Sequence, residues 1–594
     1  CRPRAGRRIP HIQRNIQRRT HNGYFTSEQF ASGIITPRQE IKKDYSGKGT
    51  ATAAIEGESI RVSVSDFPKN AINYCIEEAG ISPKDISSVV FYDKSILKFD
   101  RLLDNYITYA PRGLVSFLNV IPKWLHKRLW IKDDIKKHLK GFTGDILFPE
   151  HHLSHAAYSF LTSPFQESAI LTVDGVGEWT TTSMGTGKEN KIKLTKDLRW
   201  PHSVGMLYSA FTYFLGFRVN EGEYKLMGLS AYGKPKYYDL IMEKLIDLKD
   251  DGSFHLNMKY FAFAYDKVMT NKKFSTLFNC SVRTEDGPAE QIHYDIAASA
   301  QKVLEEILMR VVRYIHKNTG QKNLCLGGGV ALNGVANYKI LKEGPFENIF
   351  IPPSPGDAGS ALGAALYGYY SIQNKQRSFE KDNSIKVSNE VFIGPEYSNE
   401  DIENFLNEKG ISFEKYERQQ LLEKVAKLIS EQNVVGWYQG RMEWGPRALG
   451  NRSILSDPRN PKMKDILNEK IKHREGFRPF APSILEEYAS EYFELEISSP
   501  YMLLVTKVKK PDQIPAVTHV DGTARVQTIS RITNELYYDL INEFYKLTNV
   551  PVLINTSMNV RGEPIVNTPE QAHNMIVKTD MDYIVMGNYL IPRL

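Results

Sequence analysis

Cysteine is scarce in this chain of 594 residues: Cys1, Cys75, Cys280 and Cys325 are the whole supply, far apart and without a Cys-x-x-Cys pair. That excludes a disulfide framework and a zinc ribbon, and makes a reducing cytoplasm the expected compartment. Long apolar runs are missing as well. The most apolar stretch, Leu114 to Trp130, is interrupted by Pro122, Lys123, His126, Lys127 and Arg128 and falls short of a membrane span. It reads as an amphipathic surface or partner-binding helix, with core packing as the alternative. Internal repeats and low-complexity tracts are absent. Acidic residues are missing from the first 27 positions, where seven arginines precede residue 20, and this end supplies much of the formal net charge of +7. Residues 1–66 are therefore set apart as an atypical basic N-terminus. Its opening is expected to be a disordered arm or a reading-frame artefact, without the apolar run of a secretory signal. The remainder is near neutral and carries no clustered basic stripe, so no nucleic-acid partner is expected.

What is present reads as an ordinary globular protein, with 41% hydrophobic and 24% charged residues. One core stops growing at roughly 250–300 residues, so two domains are expected. Helix and strand signals alternate from Phe67: a helix over 70–79 ending at Gly80, a strand over 86–92, another over 168–173 running into Asp174-Gly175, and its hairpin partner over 179–184. A long helix over 292–318 precedes two strand-turn-helix units, at 323–336 and 348–370. Residues 371–389 are polar and without periodicity, the pattern of a linker. The resulting division is 67–370, an α/β domain, and 390–594, an α+β domain.

Three groups of residues carry chemistry. His151 and His155 in Glu-His-His-Leu-Ser-His are spaced i, i+4, which places both imidazoles on one face of a helix opening after Pro149. Asp174, at a strand end, and Asp357, at a helix start, are plausible third and fourth metal ligands, and such a set suits iron(II), manganese or zinc. The runs Gly327-Gly328-Gly329 and Gly356-Asp357-Ala358-Gly359 each open a helix whose N–H groups can hold phosphate. With the Asp-Gly-x-Gly hairpin at 174–177 they point to an ATP-binding fold of the actin, hexokinase and Hsp70 type. In the second domain Arg441, Arg447, Arg452, Lys472, Arg474 and Arg478 alternate with Gly, Pro and aromatics instead of acids, and Arg525 and Arg561 stand near loop ends. That pattern suits bidentate recognition of phosphate or carbamate, with base stacking as the competing reading.

These motifs resemble the O-carbamoyltransferases of the nodulation and antibiotic-tailoring type. The matching text is HHLSHAA at 151–157, DGVGEW at 174–179, EGEYKLMGLSAYG at 221–233, GGGVALN at 327–333 and PGDAGSALGAA at 355–365. It continues with WGPRALGNRSIL at 444–455, REGFRPFAPS at 474–483, HVDGTARVQ at 519–527 and NTSMNVRGEP at 555–564. The resemblance implies an actin-like, threonylcarbamoyl-transferase-like N-terminal domain and a YrdC-like C-terminal domain. The latter would form carbamoyl-adenylate from carbamoyl phosphate and ATP with magnesium, with Lys472, Arg478 and Arg447 as catalytic positions and Arg525 and Arg561 binding anions. The former would pass the carbamoyl group to a hydroxyl of a small molecule or glycan. There iron(II) would lie on His151, His155, Asp174 and Asp357, and Glu221, Lys225, Gly328, Gly329 and Asn333 would line the adenylate site. A homodimer is the expected oligomer.

Three other readings are weighed. A threonylcarbamoyl-type tRNA-modifying enzyme would need a basic surface, and a hydrogenase-maturation carbamoyltransferase would need Cys-x-x-Cys zinc fingers. The family's opening strand and His-Asp-Ser-Ala-Ala hairpin cannot be read in residues 1–66, which leaves open a catalytically inactive, nucleotide-binding regulator.

Overall fold

Two cores are what a chain of this length needs, and the computed structural model divides it into residues 81–385 and residues 1–80 with 386–594. It describes residues 40–43, 50–55, 58–63, 67–285, 287–377 and 391–593. The basic opening over 1–27 lies outside the described residues. Within the stretch set apart as atypical, Glu40–Lys43, Thr50–Ile55 and Glu58–Ser63 form a three-stranded antiparallel sheet.

In the 81–385 unit the sheet is built from β1 (Glu167–Val173), β2 (Thr180–Lys188), β3 (Lys191–Arg199), β4 (Asn323–Gly327) and β5 (Asn348–Phe350), in the order β5-β4-β1-β2-β3. The first three strands are antiparallel neighbours, while β4 and β5 run parallel to β1. β1 is buried at every position after Glu167, which is why it reads as a continuous apolar run. The expected α/β layout of this region holds. Helices α1 (Leu114–His126), α2 (His151–Leu161), α3 (Gln291–Thr319) and α4 (Asp357–Leu366) belong to the same unit. The expected helix at 330–336 is instead a short 3₁₀ turn, Gly329–Leu332, followed by a helix from Gly334 to Glu343.

Helices α2 and α4 approach closely because α4 is lined with small residues. A Cβ on Gly363 would stand 2.0 Å from the Ser154 carbonyl oxygen, and one on Gly359 would stand 2.2 Å from the Tyr158 ring. Tyr158, Phe160, Ile170, Cys325, Leu362 and Leu366 fill the core around this contact. Burial pushes the Cys325 thiol up to about 11, so it is an inert packing group.

The second unit is built on a nine-stranded mixed sheet: β6 (Glu414–Lys415), β7 (Val435–Tyr438), β8 (Arg452–Ser456), β9 (Ala481–Leu485), β10 (Leu504–Lys507), β11 (Thr523–Ile529), β12 (Val552–Ser557), β13 (Tyr583–Met586) and β14 (Tyr589–Pro592). Their order is β6-β14-β13-β7-β8-β12-β9-β11-β10, mostly antiparallel with parallel pairs β7–β13 and β9–β11. The expected α+β layout holds.

Two boundaries differ from those read in the sequence. The helix Lys69–Ala79, read as the opening of the first domain, belongs with residues 386–594: Tyr74 donates to the Ile393 carbonyl, and Arg441 binds Tyr74 and Glu78. Local periodicity shows an amphipathic helix but not which core covers its apolar face. Residues 371–377 of the expected linker are packed rather than loose. Ser371 donates to the Asn190 carbonyl, and the Arg377 guanidinium donates to the carbonyls of Phe160, Ser163, Phe165 and Glu189. Residues 378–389 lie outside the described residues.

Candidate functional site

Three elements bring the four metal-ligand candidates to one point. Helix α2 opens on His151, and its first N–H is satisfied inside the protein: the buried Glu178 carboxylate accepts from His151 N, 3.1 Å from each oxygen, and from Lys94 N at 2.8 Å. A carboxylate at the positive end of a helix is favourable and fixes where that end lies. One turn apart, His151 and His155 then present Nε2 atoms 3.0 Å from each other.

Asp174 follows β1, and the parallel register of β1 with β4 pairs Thr172 with Gly327, so the loops beyond both strand ends adjoin. The Gly329 N–H donates to Asp174 Oδ1 at 3.0 Å, leaving Oδ2 to face His151 Nε2 at 3.0 Å and His155 Nε2 at 3.7 Å. Gly328 turns the chain at φ +90°, and a Cβ there would stand 2.2 Å from the Val173 carbonyl oxygen. Asp357, the first residue of α4, is delivered by the α2–α4 contact with Oδ1 3.4 Å from both histidine Nε2 atoms.

All four donor atoms lie within 4.8 Å of one another. Burial opposes charge on Asp174, yet hydrogen bonds to His151 and His155 hold its carboxyl well below the usual carboxylate range. Burial also opposes charge on His155, and Asp174 and Asp357 still pull its imidazole up to about 9. The pocket therefore favours positive charge. The Nδ1 atoms of both histidines are buried without hydrogen-bond partners among the described residues, while both Nε2 atoms face the two carboxylates. Two imidazole nitrogens facing two carboxylates fit a divalent ion, and iron(II), manganese and zinc all accept such a set.

Neighbouring residues have other duties. His152 points away, its Nδ1 2.7 Å from Thr172 Oγ1, and burial followed by the adjacent His151 and His155 keeps it neutral. The N–H groups of Gly328 and Gly329, expected to hold phosphate, already donate to Pro355 O and Asp174 Oδ1, because the tight strand-helix turn folds back on its own ligand. Asn333 caps the helix from Gly334 and bonds Gln301 at 2.9 and 3.1 Å. Glu221 precedes the helix Glu223–Ser230, and Lys225 lies within it, its ammonium 5.5 Å from the Phe217 ring.

Glu178 attracts no attention in the sequence, since an acid in a hairpin loop is usually solvated. Here it positions His151. Replacing it, as Glu178→Gln, is expected to weaken metal binding about tenfold by leaving one amide poorly held. Competition with a chromophoric chelator measures this, and unchanged affinity would show that the backbone alone sets the site.

The second unit gathers the cations. Arg525 sits among Arg447, Arg474 and Arg478; burial first, then these three guanidiniums, disfavours its charge, and its Nε has no hydrogen-bond partner among the described residues. Lys472 is 3% exposed. Its ammonium donates to the Ser557 carbonyl and to Asn559 O and Oδ1, both at 2.9 Å, while burial, Arg474 and Arg478 push its pKa well down. Glu475 enters this group, 3.8 Å from both Arg478 and Arg561. His519, which sequence reading passed over in favour of Arg525, is held neutral here. Burial lowers it to about 4, with Arg525 and Lys464 acting in the same direction.

Not every arginine of the 441–478 run serves the pocket. Arg452 is fully buried and gives its guanidinium to the carbonyls of Gln439, Asn451, Pro395 and Gly440, over the Tyr438 ring. Buried Glu443 accepts from the N–H groups of Leu449, Asn451 and Arg452. These two residues hold the loop that carries Arg447.

Comparison with known proteins matches residues 42–366 to the carbamoyltransferase N-terminus model and residues 426–593 to the carbamoyltransferase C-terminus model. The first match begins upstream of Phe67, inside the stretch read as having no family counterpart. An uncharacterized protein of Synechocystis is 47% identical over 92% of this chain and 94% of its own length. The nodulation protein NolNO of Sinorhizobium fredii is 37% identical over 92% of this chain and 78% of its own. The nodulation protein NolO of Bradyrhizobium diazoefficiens is 38% identical over 74% and 78%.

Proposed function

We propose a function from one premise: this chain belongs to the carbamoyltransferase family. The proposed reaction carries a carbamoyl group from carbamoyl phosphate, through carbamoyl-adenylate, to a hydroxyl of a small molecule or glycan. The observation that carries it is the group of cations around Arg525, where Lys472 is buried and Arg447, Arg474, Arg478 and Arg525 are half-buried, with Glu475 beside Arg478 and Arg561. Such a group repels itself until anions enter, which suits a site for phosphates.

In the first half-reaction, hydrolysis of carbamoyl phosphate gives carbamate and phosphate. A carbamate oxygen attacks the α-phosphorus of ATP, and pyrophosphate leaves. Arg447, Lys472, Arg478, Arg525 and Arg561 bind and orient these anions and offset the charge that develops on the leaving groups. Lys472 also ties the turn at Ser557 and Asn559, so the ammonium and the loop are positioned together. In the second half-reaction the acceptor oxygen attacks the carbamoyl carbon, the bond to AMP breaks, and the hydroxyl proton is lost to solvent. A divalent ion on His151, His155, Asp174 and Asp357 supplies Lewis acidity toward the carbamoyl oxygen when bound. Glu221 and Lys225 are the proposed adenylate contacts, and Gly328, Gly329 and Asn333 shape the turn beside the ligands.

The test separates the half-reactions. With ferrous iron, ATP, carbamoyl phosphate and a panel of hydroxyl acceptors, His155→Ala is expected to release pyrophosphate at the wild-type rate yet give no carbamoylated product. Equal product from both proteins would remove the four-ligand centre from the reaction.

A further inference from the structure

Helix α1 has more apolar surface than its unit covers. Ile121 and Trp124 are buried, and Trp124 stacks near Phe99 of the preceding helix Ser95–Thr108, with ring centroids 6.1 Å apart. At 100° per residue, Leu114, Val115, Leu118, Pro122 and Leu125 fall on the adjoining arc. That arc faces solvent: Leu114 is 60% exposed, Val115 70% and Leu118 62%. Ile107, near the end of the preceding helix, and Trp130 are exposed as well. The Trp130 indole N–H donates to the Leu125 carbonyl at 2.7 Å, which pins the ring to the last turn of the helix. Scattered exposed apolar residues are ordinary on a protein surface, but a contiguous stripe along one helix marks a contact face.

The charge within this segment is of one sign. No acid occurs in the sequence between Asp104 and Asp133, whereas Arg112, Lys123, Lys127, Arg128 and Lys132 all lie there and are exposed. Lys123 and His126 border the apolar arc on its polar side. A helix lying along a surface with leucines inward, a tryptophan at its end and cations at the edge matches the water–lipid boundary, where apolar groups enter the acyl region and cations meet anionic headgroups. A second copy of the chain fits less well, because a twofold contact would set this basic edge against itself. No helix among the described residues is long and apolar enough to cross a membrane, so the contact is with one surface.

We infer that helix α1, with Ile107 and Trp130, docks the protein on an anionic lipid bilayer. Flotation of the full chain with phosphatidylcholine vesicles, with and without phosphatidylglycerol, tests this. Wild type is expected to float with the anionic vesicles and not with the neutral ones, and to be released by salt. Leu114→Asp/Leu118→Asp and, separately, Lys123→Glu/Lys127→Glu/Arg128→Glu are expected to lower partitioning at least about tenfold with an unchanged unfolding temperature. Brominated lipid is expected to quench tryptophan emission less in Trp130→Phe than in wild type. The inference is overturned if folded wild type stays with the soluble fraction, or if the double aspartate variant floats as well as wild type. A wild-type dimer in light scattering that becomes monomeric in that variant would assign the face to a second copy instead.

Discussion

Asp174→Asn should abolish the divalent-ion binding proposed for this centre and cut carbamoyl transfer by about 10³-fold, roughly the 4 kcal/mol a Lewis acid supplies to a developing oxyanion. The substitution is nearly isosteric, and the carboxamide oxygen can keep the bond from the Gly329 N–H, so the fold should survive. What disappears is the charge. Oδ2 faces His151 and His155, and it is this carboxylate, with Asp357, that keeps His155 cationic against its burial. Without it the pocket no longer favours a cation. Elemental analysis of the purified variant should show metal falling from about one ion per chain to nearly none, while pyrophosphate release in the first half-reaction continues. A variant that retains both metal and transfer would place the centre elsewhere.

The second large effect has the opposite signature in stability. Arg525→Met removes a half-buried cation that Arg447, Arg474 and Arg478 repel. The ligand-free variant should be at least as stable as wild type, since a half-buried charge among like charges gives way to an apolar side chain of similar length. Adenylate formation should nevertheless fall by about 10²–10³-fold, the loss typical of one donor aimed at developing charge. Thermal unfolding with and without ATP separates the two effects: the ligand-induced rise in unfolding temperature should shrink while the ligand-free temperature holds or climbs. A drop in ligand-free stability would mean that Arg525 holds the fold together, as Arg452 does through its backbone carbonyl partners.

That contrast between Arg525 and Arg452 shows where sequence reading stops. Both arginines belong to the cation-bearing motifs of the second domain, and only tertiary structure reveals that four backbone carbonyls surround Arg452. The convergence of His151, His155 and Asp174 was legible for a local reason. An i, i+4 histidine pair and an aspartate ending an apolar strand carry their geometry in their spacing, and adjacency at the sheet edge follows from strand order. Asp357 needed more, because its delivery depends on Gly359 and Gly363 letting α4 lie against α2. Glu178 and Glu443 were silent for the opposite reason: each serves backbone amides, and a carboxylate bound to amides has no sequence signature outside a helix cap. The helix Lys69–Ala79 was read as a helix but given to the wrong neighbours, since an amphipathic pattern does not name the core that buries it. The first glycine run reads in sequence as a set of amide donors for phosphate, whereas the turn it permits commits the Gly328 and Gly329 amides to Pro355 and Asp174.

The central claim is that this chain activates a carbamoyl group as its adenylate. The most direct measurement incubates the folded protein anaerobically with ferrous iron, ATP and ¹³C-carbamoyl phosphate and follows the nucleotide pool by mass spectrometry, with Arg478→Ala beside it. The predicted result is a carbon-labelled AMP adduct, with pyrophosphate in equal amount, from wild type and not from the variant. Folded wild type that leaves ATP intact, or splits it without forming the labelled adduct, would contradict the account.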